Sequence, residues 1–336
     1  MLKRMNRICW DGPEVARLRY YLGNATARLL PAPVYRRQRR ALEAALAQCE
    51  DEAVFARARY YHKWQQPFVL GDAARPFRLD LSKGRSAYQY DLYAGLRYFQ
   101  TDLRIDARLG DIREVPATPA IVKSRPIAPA NENAVLLNLN KVRHFYFVRD
   151  PYAFSEKADR LVWRGRACQQ HRKDFLARYY GHPLCDVGHY HRRHQDVSWT
   201  KPELSVHEQL RYKYILAIEG NDVATSLKWI LSSHSLCFMT KPRFETWFME
   251  GRLVAGQHYV ELRDDYADLE EKISYYNRHP DEAQAMIRAA NEWVAQFQNP
   301  FRERLICLLV LWHYFYFSGQ LALPPPGLAE VVAAGA

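Results

Sequence analysis

Short apolar runs alternate with helical stripes in the second half of the chain. Residues 214–218 form an aliphatic and aromatic run that is short enough for a buried strand. Turn-forming residues follow at 219–222, and leucine and isoleucine then recur at helical spacing through 227–231. A second strand-like run covers 235–240. The order strand, glycine turn, helix, strand is typical of half of a nucleotide-binding α/β unit.

Polar residues at the start of this helix suggest an anion site. Asp222, Thr225 and Ser226 are capping residue types at the point where the helix should begin. Thr225 and Lys228 are three residues apart and should share a helix face away from the leucines. A hydroxyl and a cation near a helix start suit a phosphate. A plain cap with a solvated lysine stays open as the alternative.

The rest of the pattern divides the chain into two α/β halves. In the second half, strands are predicted at about 160–165, 213–219, 235–240 and 258–262, with helices between them, which favours parallel pairing. In the first half, 141–150 is interpreted as a strand, or as a helix end that runs into one. A ligand is expected in the crevice between the halves, at the carboxyl ends of the strands.

The N-terminal residues 1–65 are predicted to be helical and very basic. An amphipathic helix after Pro33 carries Arg36, Arg37, Arg39 and Arg40 in its first turns. A solvated helix face is one interpretation of these arginines. Attraction to an anionic membrane or acceptor is the other.

Composition indicates a soluble globular protein with an anionic partner. The chain has 336 residues, 48% of them hydrophobic, and a formal net charge of +11, which favours nucleotides, phosphorylated glycans, acidic lipid surfaces or nucleic acids as partners. No signal peptide is apparent, and the longest apolar run, 305–317, is too short to span a bilayer. We expect a cytoplasmic protein, with peripheral contact at the inner face of the cytoplasmic membrane left open.

Cysteine and histidine usage does not favour a metal or disulfide framework. The six cysteines contain no CxxC pair, which fits reduced thiols. Residues 182–195 are rich in histidine, but the ligand spacing matches no standard structural zinc site. An acceptor loop or plain surface is the preferred interpretation. The segment contains the candidate ligands Cys185, Asp186, His189, His191 and His194.

Several blocks in order resemble glycosyltransferase family 90, and the bacterial branch called lipopolysaccharide A protein is the most similar. The resemblance runs from about residue 88 to 317. It is carried by VKSRPI (122–127), LVWRG (161–165) with a basic helix after it, ILAIEGNDVATSLKWILSSHSL (215–236), PRFETWFMEG (242–251), HYVEL (258–262) and DLEEKI (268–273).

The resemblance implies a GT-B fold, in which two Rossmann-like domains face a central cleft. It divides the chain into an acceptor-side domain (1–152), a nucleotide-sugar-binding domain (153–298), a helix that crosses back to the first domain (299–320) and a flexible tail (321–336). The implied activity is inverting transfer of a sugar, usually from a UDP-sugar, to a hydroxyl of a lipopolysaccharide or related glycan. No metal or other cofactor is implied, and the chain contains no Asp-x-Asp.

The resemblance also assigns site residues. Asp111 is implied as the catalytic base that removes the proton of the acceptor hydroxyl. Arg164 is implied to bind the diphosphate while Gly165 lets the backbone approach it, with Lys157 as a further phosphate contact. Ser124 and Arg125 face the sugar or acceptor, or simply form a turn. The implied nucleotide loop comprises Glu219, Gly220, Asn221, Ala224, Thr225, Ser226 and Lys228.

Two other functions compete with sugar transfer. High charge and many aromatic residues also suit a basic nucleic-acid-binding protein. However, Lys and Arg are spread along the chain and no nucleic-acid-binding motif is present, so no nucleic acid partner is expected. A nucleotide-sugar-binding module without catalysis is the other alternative. The sequence leaves open the donor sugar and base, the acceptor and linkage, the oligomeric state, and any ligand of residues 182–195.

Overall fold

The computed structural model of the protein describes residues 13–81, 86–191 and 198–326. Its helices are α1 (Pro13–Ala27), α2 (Ala32–Ala47), α3 (Glu52–Tyr61), α4 (Ser86–Leu96), α5 (Lys141–His144), α6 (Gln170–Tyr179), α7 (Val206–Gln209), α8 (Leu227–Leu231), α9 (Leu269–Arg278), α10 (Pro280–Ala295) and α11 (Pro300–Phe317), with 3-10 turns at Phe154–Glu156 and Glu250–Arg252. Its strands are β1 (Arg75–Pro76), β2 (Arg104–Ile105), β3 (Ala107–Arg108), β4 (Ala120–Val122), β5 (Ser124–Pro126), β6 (Ala134–Leu136), β7 (Ala158–Gly165), β8 (Cys185–His189), β9 (Tyr212–Leu216), β10 (Leu236–Thr240), β11 (Phe244–Thr246) and β12 (Val260–Leu262).

A five-stranded parallel sheet forms the frame of the second half. Its order is β12-β10-β9-β7-β8, and every neighbouring pair is parallel. The four predicted strands and their parallel pairing are confirmed. The fifth strand, β8, was missed because its sequence CDVGH lies in the histidine-rich segment and lacks an apolar run. It is an edge strand, so it needs less apolar surface than the central strands.

The first half contains a smaller parallel sheet of the order β3-β4-β6. Next to it, β5 pairs antiparallel with β11 of the second half, with Arg125 opposite Glu245. The predicted α/β class is therefore confirmed. The facing two-domain arrangement of a GT-B fold stays a prediction.

The strand interpretation of 141–150 was wrong. The structure has one helical turn there, α5, followed by irregular chain. The backbone N–H of Lys141 donates to the carboxylate of Asp91 at 2.8 Å, which anchors the start of the turn. Further on, the N–H of Val148 donates to the Ser232 hydroxyl at 2.9 Å instead of a strand neighbour.

One hydrophobic core spans both halves. Val162, Ile215 and Cys237 on one face of the five-stranded sheet belong to the same buried cluster as Ile121 and Val135 of the smaller sheet. The opposite face of the large sheet has its own core, which α6, α9 and the start of α10 cover. The predicted boundary at 152/153 therefore crosses continuous packing.

Helix α11 is apolar on nearly all sides and is buried against the first half, as expected for a helix of that composition. The Tyr314 hydroxyl donates to the carbonyl of Pro119 at 3.0 Å and accepts from the N–H of Asp106 at 3.2 Å. Near its start, Glu303 pairs with Arg57 of α3 at 2.6 Å. None of the described helices, α11 included, is long and apolar enough to cross a membrane.

Candidate active site

The turn after β9 is held against the first half by Asp222. This carboxylate is 3% exposed and accepts from the Ser124 hydroxyl at 2.6 Å and from the ammonium of Lys123 at 2.6 Å. Asp222 is therefore an interaction partner of β4 and β5, and its interpretation as a helix cap was wrong. The helix that it was expected to cap, α8, has five residues and no side-chain cap.

Lys123 lies between two carboxylates from different parts of the chain. It is 2% exposed, and its Nζ lies 2.6 Å from Asp111 Oδ1 as well as 2.6 Å from Asp222 Oδ2. Burial works against its charge, but the two carboxylates together raise the pKa of Lys123 above its ordinary value. No role for Lys123 was predicted from the sequence. The available signal was a lysine that directly follows the apolar strand β4.

Asp111 contacts both Lys123 and the turn after β9. Its second oxygen accepts from the Asn221 side-chain amide at 3.2 Å. Burial would raise the pKa of Asp111, but the charge and hydrogen bond of Lys123, aided by Asn221 and Arg143, hold the pKa below its ordinary value of 3.8. The lowered pKa means that the carboxylate is ionised at neutral pH. Because 32% of the side chain is exposed, the carboxylate is also accessible to a ligand.

Arg172 of α6 places a positive charge at the carboxyl end of β9. Its guanidinium donates to the carbonyls of Ile218 at 2.8 Å, Glu219 at 2.9 Å and Arg166 at 2.9 Å. These acceptors are neutral, and among the residues that the structure describes no carboxylate forms an ion pair with it. Burial accordingly lowers the pKa of Arg172. From the sequence, this segment was expected only to be a basic helix, and no role was predicted for Arg172.

Asn221, Gln169 and Arg143 complete the surroundings of Asp111. The Gln169 amide donates to Asn221 Oδ1 at 3.0 Å, so Asn221 bridges Asp111 and the start of α6. Arg143 is exposed, and its charge acts on the pKa of both Asp111 and Arg172. The candidate active site is therefore one ionised carboxylate beside two arginines, at the junction of the two halves.

Lys157 lies directly before β7, at the end of the large sheet opposite to Asn221. Its ammonium pairs with Asp150 at 2.6 Å and also donates to the carbonyl of Leu210 and the hydroxyl of Ser235 at 3.0 Å. Leu210 and Ser235 precede β9 and β10, so Lys157 lies at the amino ends of these strands. At about 3.3 Å per residue, the eight residues of β7 separate Lys157 from Gly165 by roughly 25 Å. A phosphate contact shared with Asn221 does not fit this position.

Arg164 and Gly165 have structural partners. Arg164 pairs with Asp186 of β8 at 2.8 Å, donates to the Asp186 carbonyl at 2.7 Å and donates to the Pro202 carbonyl at 3.0 Å. A Cβ on Gly165 would lie 2.6 Å from the ring of Trp163. The glycine thus makes room for that ring, and the arginine joins two strands; their roles toward a ligand stay predictions.

Two other candidate cations are fully buried in ion pairs. Lys228 pairs with Glu250 at 2.5 Å, and Arg125 pairs with Glu245 at 2.7 Å. Lys228 therefore does not share an exposed face with Thr225, because its ammonium points into the core. Both cations already have carboxylate partners, so the assignments to diphosphate and to sugar or acceptor do not fit their geometry.

The other residues of the predicted nucleotide loop lie near Asn221. The Glu219 carboxylate accepts from the backbone N–H of Arg243 and from its guanidinium, both at 2.9 Å, and burial raises its pKa. Gly220 lies next to Arg172, whose Nη2 is 3.4 Å from a Cβ built on the glycine. Ala224 is buried, while Thr225 and Ser226 are half-buried. Their roles toward a ligand stay predictions.

The histidine-rich segment is engaged in protein contacts where the structure describes it. Asp186 accepts from Arg164, Lys201 and Tyr212, and His189 accepts from the backbone N–H of Ala167 at 3.0 Å. Across residues 13–81, 86–191 and 198–326, no group of three His, Cys, Asp or Glu residues is arranged to hold a metal. The candidate His194 lies outside the described residues.

Comparison with known proteins identifies the family. The model of glycosyl transferase family 90 matches residues 142–300, which include Arg143, Arg172 and Asn221. The chain is also 50% identical over 263 residues to a protein of Dichelobacter nodosus named O-glucosyltransferase LpsA, and the match covers 78% of this chain and 83% of that protein. The chain belongs to glycosyltransferase family 90. It is a glycosyltransferase, and the resemblance inferred from the sequence blocks is confirmed.

We expect Lys123→Met to raise the pKa of Asp111, since the nearby cation is lost while the carboxylate of Asp222 remains. A depressed carboxyl pKa contributes stability above pH 3.8, and that contribution is lost as the pH falls through the folded-state value. The variant should therefore be less stable at pH 7 by about 3–5 kcal/mol, because it leaves buried charge unpaired. This deficit should shrink in acid.

Carboxyl carbon NMR titration measures the pKa, and urea unfolding at several pH values measures the stability. Lys173→Met, at an exposed position of α6, is the matched control and should change neither. An unchanged Asp111 pKa in Lys123→Met would contradict the assignment of Lys123 as its controlling charge.

Proposed function

We propose that this glycosyltransferase moves a sugar, with inversion and without a metal, from a nucleoside-diphosphate donor to a hydroxyl of a lipopolysaccharide or related glycan. UDP is the expected nucleotide, and the name of the relative from Dichelobacter nodosus favours glucose as the sugar. The observation that carries the proposal is the ionised, accessible Asp111 in contact with Asn221, beside the half-buried charge of Arg172. A GT-B arrangement of the two halves is part of the proposal.

Asp111 acts as the general base in the proposed reaction. As the acceptor oxygen attacks the anomeric carbon, its proton passes to a carboxylate oxygen of Asp111. The bond between the anomeric carbon and the diphosphate oxygen breaks on the opposite side, and its electron pair leaves with the nucleoside diphosphate. Lys123 keeps the carboxylate ionised before the reaction and fixes its orientation.

Arg172 and Arg143 are the proposed charge partners of the leaving diphosphate. One further negative charge develops there as the bond breaks, and cations fixed in advance stabilise it without reorganisation. Arg172 is held by carbonyl groups, which orient it without neutralising it. The N-terminus of α6, two residues before Arg172, adds a favourable dipole.

The two competing functions have less support. A nucleic-acid-binding protein does not require an ionised carboxylate among its basic residues. The negative charge of Asp111 would repel a phosphate backbone. A non-catalytic module would bind the donor without a base. Asp111, placed opposite the loop of Asn221, favours catalysis.

We further propose peripheral contact with an anionic membrane through α1 and α2. The apolar side chains of Val15, Leu18 and Leu22 on α1 are 42–59% exposed, and Leu29 after it is 82% exposed. On α2, arginines 36, 37 and 40 are exposed, whereas Arg39 pairs with Glu43 and stacks over Phe99. Exposed apolar side chains on one helix and exposed arginines on the next suit the interface of an anionic bilayer.

We expect Asp111→Asn to lower kcat by roughly 10²–10⁴-fold, the usual contribution of a general base, and to leave donor binding nearly unchanged. Steady-state transfer assays and calorimetric titration of UDP measure the two quantities. Asp102→Asn, an exposed position in the same half, serves as control. If turnover survives in Asp111→Asn, Asp111 is not the base.

Arg172→Met should weaken UDP binding about tenfold or more, because a partly desolvated charge-assisted contact contributes roughly 1.5–3 kcal/mol. Calorimetry at two salt concentrations should show a smaller salt dependence in the variant. Arg178→Met, at the other end of α6, should bind UDP like the native chain. Equal UDP affinities in Arg172→Met and Arg178→Met would show that Arg172 does not bind the donor.

Replacing Arg36, Arg37 and Arg40 together by alanine should reduce binding to phosphatidylglycerol vesicles by on the order of 100-fold, since each arginine near such a surface contributes about 1 kcal/mol. Co-sedimentation measures this binding, with neutral phosphatidylcholine vesicles for comparison. The control is a triple alanine variant at the exposed arginines 263, 278 and 288, which has the same net charge as the α2 variant. If both triple variants lose vesicle binding equally, net charge explains the binding and α2 is not a specific membrane contact.

A further inference from the structure

A cavity of about 520 Å³ lies in the first half, beside α1, α4, α5 and α11. This volume is in the range of sites that bind small molecules. Asp111, Lys123 and Asn221 do not line it, so it is separate from the candidate active site. Its walls are largely apolar and include Val142, Phe145, Phe147, Phe297 and Leu308.

The charged residues around this cavity are mostly cations. Arg97, Lys141 and Arg304 line it, together with one acidic residue, Glu303. The Glu303 carboxylate is already neutralised by Arg57 at 2.6 Å and 3.0 Å. The ammonium of Lys141 lies 3.9 Å from the Asp91 carboxylate, so the excess positive charge beside the apolar walls comes from Arg97 and Arg304. This combination favours a ligand that has an apolar body and an anionic group.

Two buried polar atoms at this cavity lack partners within the described part of the chain. Asn138 is 7% exposed, and its Oδ1 accepts no hydrogen bond. The Nε of Arg97 donates none. A buried polar atom without a partner costs about 1–3 kcal/mol. Both atoms are shielded from solvent, so they add no contact to a ligand in the cavity as it stands.

The surroundings of the cavity indicate where such a ligand would come from. Arg97 also lines a groove with Arg36, Arg39 and Arg40 of α2, so the positive surface continues from that helix to the cavity. Lys141 and Val142 of α5 line the cavity, whereas the next residue, Arg143, acts on Asp111. One helical turn thus separates the cavity from the candidate active site.

We propose that this cavity is a second ligand site, which binds an anionic amphiphile with a single apolar chain and a phosphate head group. The apolar chain packs against the phenylalanine rings, and the head group contacts Arg97, Lys141 and Arg304. The proposal does not depend on the donor, acceptor or mechanism of sugar transfer.

The test is calorimetric titration of the full chain with dodecyl phosphate below its critical micelle concentration. We expect saturable binding of one molecule per chain, roughly tenfold or more weaker binding of dodecanol, and no binding of inorganic phosphate at this site. Arg304→Ala, at an exposed position, should weaken dodecyl phosphate several-fold and leave dodecanol unchanged. Arg288→Ala on α10 is the matched control and should have no effect.

A second variant fills the cavity. Ala94→Phe places a ring in the space and should abolish binding of both alkyl ligands, with circular dichroism to verify folding. Phosphatidylglycerol vesicles that displace dodecyl phosphate would identify a membrane lipid as the source. Failure of vesicles to displace it would identify a free amphiphile. Absence of saturable binding, or native affinity in a folded Ala94→Phe variant, would overturn the proposal.

Discussion

The ammonium of Lys123, buried between the carboxylates of Asp111 and Asp222, is the interaction on which the candidate site depends. Desolvation of a single ammonium is costly, and one carboxylate rarely compensates for it fully. Two carboxylates at 2.6 Å do so here, and they come from separate segments of the chain. The same contact ionises Asp111 and holds the turn that carries Asn221. Electrostatics and geometry of the site therefore have a common origin.

Buried cations with a single carboxylate partner occur elsewhere in the molecule, with a different consequence. Arg125, Lys157 and Lys228 are buried cations, and each has a carboxylate partner of its own. The carboxylate partners neutralise the charge of these three cations inside the protein. Arg172 differs because its partners are carbonyl oxygens, so its charge is oriented but not cancelled. The distinction between neutralised and oriented cations separates residues that hold the fold from those available to an anionic ligand.

Much of the fold could be predicted from the sequence, because β7, β9, β10 and β12 contain apolar runs between turns and α11 is apolar on nearly all sides. Edge strand β8 has no such run, and the turn of α5 depends on Asp91, 50 residues away. Of the predicted site residues, Asp111 and Asn221 do lie together. Lys123 and Arg172 were missed because a cation's role depends on its partner, and a partner distant in sequence leaves no local pattern.

The continuous core has a consequence for exchanging parts between members of the family. Because apolar side chains of β7, β9 and β10 pack in the same cluster as β4, β6 and α11, a graft that joins chains at residue 152 would bring together two surfaces shaped for other partners. Such a chimera needs matched β5 and β11, since Arg125 and Glu245 meet across that junction. It also needs a matched pair of Lys123 and Asp222. Single substitutions around Arg172 and Asn221, where the donor site is proposed, leave this shared core intact, whereas replacement of a half does not.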